Sequence, residues 1–241
     1  MRPLNERTVL IVGATSGIGL ALARRLVRGG ATVISTSRGD GAALRELGIS
    51  HHRIDVRSDV GEALGAALPD KLDGLVYCPG SITLKPFPRL TLADFQNDLD
   101  INLFGAVRVI QAALPALKKS GDAGVVLFST VASQVGMNFH ASIASAKSAV
   151  EGLGKSLAAE FASAGIRVNV VAPSLTRTPM AGNLLSNEER EAASAKRHPI
   201  SRIGDSEEMA ATAAFLLSPE AGWITGQVLP VDGGMSALRP I

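Results

Sequence analysis

The feature that most constrains this 241-residue chain is Gly13-Ala14-Thr15-Ser16-Gly17-Ile18-Gly19, set between an apolar run at 8–12 and a stretch with Ile18, Leu22 and Leu26 at four-residue spacing. Strand, glycine-rich turn and amphipathic helix in that order open a βαβ unit. Glycines let the backbone turn tightly and approach a diphosphate, while the free N–H groups and positive end of the helix attract the anion. Gly13, Thr15, Ser16, Gly17, Ile18 and Gly19 are therefore candidate cofactor contacts. The spacing is G-x-x-x-G-x-G rather than the commoner G-x-G-x-x-G, and an ordinary strand-to-helix turn is the bland alternative.

Further short apolar runs at 32–35, 74–78, 125–129 and 168–172 alternate with helical stretches. Parallel strands covered on both faces read as continuous apolar runs, so the pattern predicts an α/β chain. The expected architecture is one Rossmann-like domain over 1–241, a doubly wound parallel sheet with helices on both faces. Gly29-Gly30 should stop the first helix, and Arg24, Arg25 and Arg28 lie off its apolar face. The segment 179–199, polar in its middle and bracketed by Pro179 and Pro199, reads as an excursion outside the sheet and a candidate lid.

Hydrophobic residues at 46% against 19% charged lie far from a disordered composition. The net charge of +2 comes from scattered Lys and Arg with no basic stripe, which argues against a nucleic-acid partner. The single Cys78 excludes an intramolecular disulfide and a multi-cysteine metal site, and suits a reducing compartment; the cytoplasm is the expected location. No segment reads as a signal peptide or as the 18 or so apolar residues of a membrane span.

The run at 32–35 continues into Thr36-Ser37-Arg38, where an NAD-preferring site would place a carboxylate on the adenosine ribose. A hydroxyl followed by a guanidinium would instead hydrogen-bond and neutralise a 2′-phosphate. Ser37 and Arg38 thus predict NADP(H), with NAD(H) as a weaker option. The alternative leaves Arg38 solvated and gives the carboxylate's place to Asp40.

These glycines and several later motifs resemble the short-chain dehydrogenase/reductase family along nearly the whole chain. His52-Arg53-Ile54-Asp55-Val56 is similar to the family's adenine-contacting Asp-Val, and Cys78-Pro79-Gly80 to its Asn-Ala-Gly, of which only Gly80 is kept. The run 100–105 resembles the helix that carries the family's asparagine, here Asn102. Ala172-Pro173-Ser174-Leu175-Thr176-Arg177-Thr178 resembles the Pro-Gly nicotinamide loop, with Ser174 for glycine, and the run 223–234 the final strand. The resemblance implies that Asp55, Val56, Gly80, Pro173, Thr176 and Thr178 join the cofactor site.

The family's catalytic set is Asn, Ser, Tyr and Lys, with Tyr four residues before Lys and Ser thirteen before Tyr. Here Asn102 and Lys147 are in register, Thr130 stands for the serine, and Ile143 stands where the phenol should be. The resemblance implies that Lys147 binds the nicotinamide ribose; an exposed helix lysine is the alternative. Thr130 should hold a substrate oxygen, or merely cap a strand end, and Asn102 should keep a water chain or bond its own backbone.

His140 is the substitute acid to consider. A helix beginning near Asn138 would put 140, 143 and 147 on one face, and the seven-residue gap to Lys147 resembles the tyrosine–lysine spacing of enoyl reductases. A helix start disfavours imidazolium, so a substrate-orienting histidine is the alternative. Tyr77, the only tyrosine, and Cys78 read as packing residues. The small residues of 141–154 suit close pairing of two subunits, as in relatives, which predicts a homodimer or homotetramer; packing onto the chain's own sheet is the alternative.

Two functions follow. One is an atypical NADPH-dependent reductase of a small carbonyl or activated C=C substrate. The other is an NADP(H)-binding sensor or scaffold whose catalysis is impaired. Specificity would lie in 179–199 and the loops after the fourth and fifth strands.

Overall fold

The computed structural model describes residues 4–239. Strands β1 (Thr8–Val12), β2 (Thr32–Ser37), β3 (Ser50–Arg53), β4 (Gly74–Tyr77), β5 (Ala123–Phe128) and β6 (Ile166–Pro173) alternate with helices α1 (Gly17–Arg28), α2 (Ala42–Arg45), α3 (Gly61–Ala67), α4 (Leu92–Leu99), α5 (Gly105–Ser120) and α6 (Ala141–Phe161). Then come β7 (Thr176–Arg177), α7 (Glu188–Ala195), β8 (Gly204–Asp205), α8 (Ser206–Leu217) and β9 (Val228–Val231).

Seven strands form one parallel sheet in the order β3-β2-β1-β4-β5-β6-β9, and β7 pairs with β8 outside it. The expected single α/β domain with a doubly wound sheet is what forms. Side-chain alternation divides the apolar runs between two cores. Leu10, Val12, Leu75, Val125 and Leu127 face α3, α5 and α6. Val9, Ile11, Val76, Val126 and Phe128 face α1 and α8. Every residue of β4, β5 and β6 is buried, and the two polar side chains inside β6 are hydrogen-bonded there, Arg167 donating to Leu216 O at 2.7 Å and Asn169 Nδ2 to Ile224 O at 2.9 Å.

Strand order reverses between β1 and β4, whose ends align at Val12 and Tyr77. A crevice opens outside the carboxyl ends of strands at such a switch point. Gly13 N donates to Thr36 O at 2.7 Å and Cys78 N to Val12 O at 3.0 Å, fixing the two loops that leave it. The segment 179–199 holds a 3₁₀ run at Pro179–Leu185 followed by α7, neither of them part of the sheet.

Two local expectations are corrected. The helix carrying Lys147 starts at Ala141, because Phe139 takes a left-handed φ of 70° that a helix cannot continue through. Helices α4 and α5 run on through a π turn, giving a 29-residue stretch, Leu92–Ser120, long and apolar enough by composition to cross a membrane. Here it buries Val109, Ile110, Ala113 and Leu117 against the sheet.

Candidate active site

A cavity of about 530 Å³ occupies the crevice. Its floor is the glycine turn. Gly13 and Gly17 have φ of 83° and 53°, and a Cβ on Gly19 would stand 2.3 Å from Gly13 O, so each needs the missing side chain. The first turn of α1 leaves its N–H groups without intrahelical partners and aims them at this floor. Thr15, Ser16, Gly17, Ile18 and Gly19 all line the cavity, as do Ser37, Arg38, Asp55, Val56 and Gly80.

At the end of the cavity beside β2 and β3, Asp55 is gripped by Arg57, whose hydrogen bonds hold its carboxyl down to about 2. Asp40 turns the other way, accepting from Ala42 N, 3.1 Å away, and it does not line the cavity. Among the described residues no hydrogen bond or ion pair engages the Arg38 guanidinium, which stays exposed at the cavity wall. Ser37 Oγ accepts from Gly39 N at 3.2 Å.

At the other end Lys147 Nζ donates to Phe128 O at 2.8 Å. Burial pushes the ammonium down to about 8, partly offset by the nearby Asp98 and Cys78. Asn102 lies on the π turn Asp100–Phe104, an irregularity often found at functional positions. Its Nδ2 donates to Ser81 Oγ at 2.9 Å and Asp98 O at 2.8 Å, whereas its buried Oδ1 finds no partner among the described residues. A Cβ on Gly80 would stand 3.2 Å from that Oδ1 and 3.5 Å from Lys147 Nζ, so both groups converge behind Gly80. Asn102 itself does not line the cavity. A glycine cradle at one end and an orphaned buried acceptor beside an ammonium at the other fit a dinucleotide laid across the strand ends.

Thr130 caps the 3₁₀ turn Val131–Ser133, accepting from Ala132 N at 3.3 Å and donating to Pro173 O at 3.3 Å, and it lines the cavity as well. Capping and access to a substrate are thus combined. Ile143 lines the same wall, almost wholly buried, and has nothing to donate. His140 precedes α6 as its N-cap and reaches the cavity from outside the helix, with Nδ1 2.6 Å from Asn138 O. Pro173, Thr176 and Thr178 also line the cavity, and Thr178 Oγ1 caps the Pro179–Leu185 run. Tyr77 is spent on structure: its hydroxyl donates to Ile101 O at 2.6 Å and burial raises its pKa. Burial pushes the Cys78 thiol up to about 12, which removes it as a nucleophile.

The sequence reading missed two groups. Asp98, fully buried, accepts from Ser81 and Thr83 on Oδ1 and from Ser142 on Oδ2, at 2.5, 2.9 and 2.6 Å, tying the loop after β4 to α4 and α6. An aspartate among the apolar positions of an amphipathic helix was the available signal. His198, from the end of the 179–199 excursion, is 3% exposed and contacts Ser174 in the cavity wall. Its position in an otherwise solvated segment concealed it.

A family model described as enoyl-(acyl carrier protein) reductase matches residues 13–236. The chain is 36% identical over 247 residues to the cis-4-hydroxycyclohexanecarboxylate dehydrogenase of Sinomonas cyclohexanicum, spanning 97% of this chain and 98% of that protein. It superposes on a short-chain type dehydrogenase/reductase from Mycobacterium ulcerans with a TM-score of 0.91 at 30% identity, covering 97% and 91% of the two chains. On ElxO with NADP bound the TM-score is 0.89 at 29% identity, covering 97% of this chain and 100% of that one. Sequence and fold agree over nearly the full length of these relatives, and the chain belongs to the short-chain dehydrogenase/reductase family of oxidoreductases.

Proposed function

We propose that the chain is an NADP(H)-dependent oxidoreductase that reduces a small carbonyl or an activated C=C compound. The observation that carries the reading is one continuous cavity joining the glycine turn to Lys147 and Thr130. When bound, the dinucleotide supplies hydride chemistry at the Lys147 end. Gly13 to Gly19 would hold its diphosphate and Lys147 Nζ its ribose, with the buried Asn102 Oδ1 behind Gly80 accepting from a bridging water. Thr130 would orient the substrate oxygen by turning its hydroxyl proton away from the Pro173 carbonyl. His140, with its Nδ1 committed to the Asn138 carbonyl, would orient the substrate from outside α6.

The preference for NADP(H) over NAD(H) rests on Arg38, uncommitted at the wall while Asp40 faces away. Charge-assisted hydrogen bonds contribute about 1.5–3 kcal/mol, or about 10- to 100-fold in affinity. Fluorescence titration should therefore show tighter binding of NADPH than NADH, and Arg38→Asp should lose that factor for NADPH alone. An unchanged NADPH affinity in Arg38→Asp would remove the assignment, and no binding of either dinucleotide would remove the function.

Ile143 favours a second reading, a protein that binds the dinucleotide without turning over. It is supported if NADPH saturates the protein while a panel of carbonyls and enones is left unreduced. The small outer residues of α6, Ala141, Ser145, Ser148 and Gly152, are exposed and support pairing of two copies as a homodimer or homotetramer.

A further inference from the structure

Reduction of a carbonyl leaves an electron pair on the substrate oxygen and requires one proton, and Ile143 cannot give it. The cavity wall holds another pair of groups. His198 Nδ1 lies 3.0 Å from Ser194 O, and Nε2 lies 2.9 Å from Ser174 Oγ. A carbonyl only accepts, so Nδ1 carries the proton and, in the neutral ring, Ser174 donates to Nε2. Both residues line the cavity. Ser174 follows Pro173, whose carbonyl is hydrogen-bonded by the Thr130 hydroxyl, so the serine adjoins the group that would hold the substrate oxygen. The family resemblance puts glycine at position 174, which makes this hydroxyl an addition by this chain.

We propose that Ser174 and His198 form the proton relay of this site, in place of the missing phenol; the proposal rests on the oxidoreductase reading above. In the imidazolium form Nε2–H donates to Ser174 Oγ, freeing the serine proton for the substrate oxygen. As that oxygen gains its electron pair, the Oγ–H bond breaks toward it and the Nε2 proton passes to Oγ. The substrate leaves as the alcohol, and His198 is left neutral with its Nδ1–H still donating to Ser194 O. Solvent returns one proton to Nε2. Ser174 is the catalytic residue of the pair, since it touches the substrate; His198 acts through it.

The test uses the full chain, Ser174→Gly, His198→Gln and the double variant, with phenanthrenequinone and cyclohexenone as probes. NADPH affinity should stay within about twofold of the parent, since neither change touches the diphosphate cradle. In each single variant kcat should fall by about 10²- to 10⁴-fold at nearly constant KM, and the double variant should be no slower than the worse single one. Nitrogen NMR of histidine-labelled protein should show the Nδ1–H tautomer for His198, with the Nε2 resonance moving in Ser174→Gly. Because Ser174→Gly carries the residue usual in the family, it keeps the test decisive if His198→Gln fails to fold. A kcat within threefold of the parent in Ser174→Gly, or an Nε2–H tautomer, overturns the relay and leaves the oxidoreductase reading standing. NADPH binding without reduction of either probe also overturns the relay. No NADPH binding overturns both.

Discussion

Lys147 carries a charge that the fold holds at a cost. Its ordinary pKa near 10.5 falls to about 8 in the folded chain, chiefly through burial. Below about pH 8 the lysine is protonated in both states, and the folded chain bears the full penalty of the buried ammonium. Between about 8 and 10.5 the unfolded chain holds a proton that the folded chain has released, so the free energy of unfolding rises with pH. Measured against Lys147→Met, the apo protein should gain roughly 3 kcal/mol across that window, at 1.36 kcal/mol per pKa unit. Urea unfolding of both proteins at the two ends of the window tests this, and a constant difference would mean the ammonium is solvated. Lys147 was legible in the sequence because its spacing from Thr130 and Ile143 is local. The Ser174–His198 contact was not, since it joins residues 24 apart across an irregular excursion.

Among the elements, β1, its glycine turn and α1 do most to position the site, and their glycines are not equivalent. A Cβ on Gly19 would meet Gly13 O at 2.3 Å, backbone that cannot move without unmaking the turn. Gly65, exposed inside α3, would meet nothing within 4 Å. Gly65→Ala should therefore stabilise the protein by about 0.5–1 kcal/mol, the helix-interior difference between the two residues. Gly19→Ala should lower stability by about 1–3 kcal/mol, as overpacking does, and abolish NADPH binding. Thermal melts with dinucleotide titration decide it, and a stable, NADPH-binding Gly19→Ala would show that the close approach is dispensable. The periodic elements were visible in sequence because burial on both faces writes itself into apolar runs. The start of α6 and the π turn at Asp100–Phe104 were not, since a left-handed φ at Phe139 and a one-residue widening of a helix leave no periodic trace.

For the molecule as a whole, the sheet and its two cores enclose one set of apolar surfaces and leave another outside. Helix α6 buries Ile143, Ala146, Val150, Gly154 and Ala158 inward, a packing that answers part of what its small residues are for. A Cβ on Gly154 would stand 2.6 Å from Val170 Cγ2, so that glycine serves the chain's own sheet. Gly152 is different: it is exposed, and a Cβ there would meet nothing within 4 Å. With Ala141, Ser145 and Ser148 it puts small side chains on the outer face of α6, and Phe104, at the junction of α4 and α5, is exposed as well. If two copies meet through this face, Gly152→Arg inserts a long charged side chain where two backbones would come closest. Light scattering should then show the mass of a dimer or tetramer for the parent and of a monomer for the variant, with the circular dichroism spectrum unchanged. Lys155→Ala, on the exposed side of the same helix, removes side-chain volume and should leave the assembly intact. A monomeric parent would assign the small residues of α6 to packing within the chain alone, and an undiminished mass in Gly152→Arg would move the contact to another face.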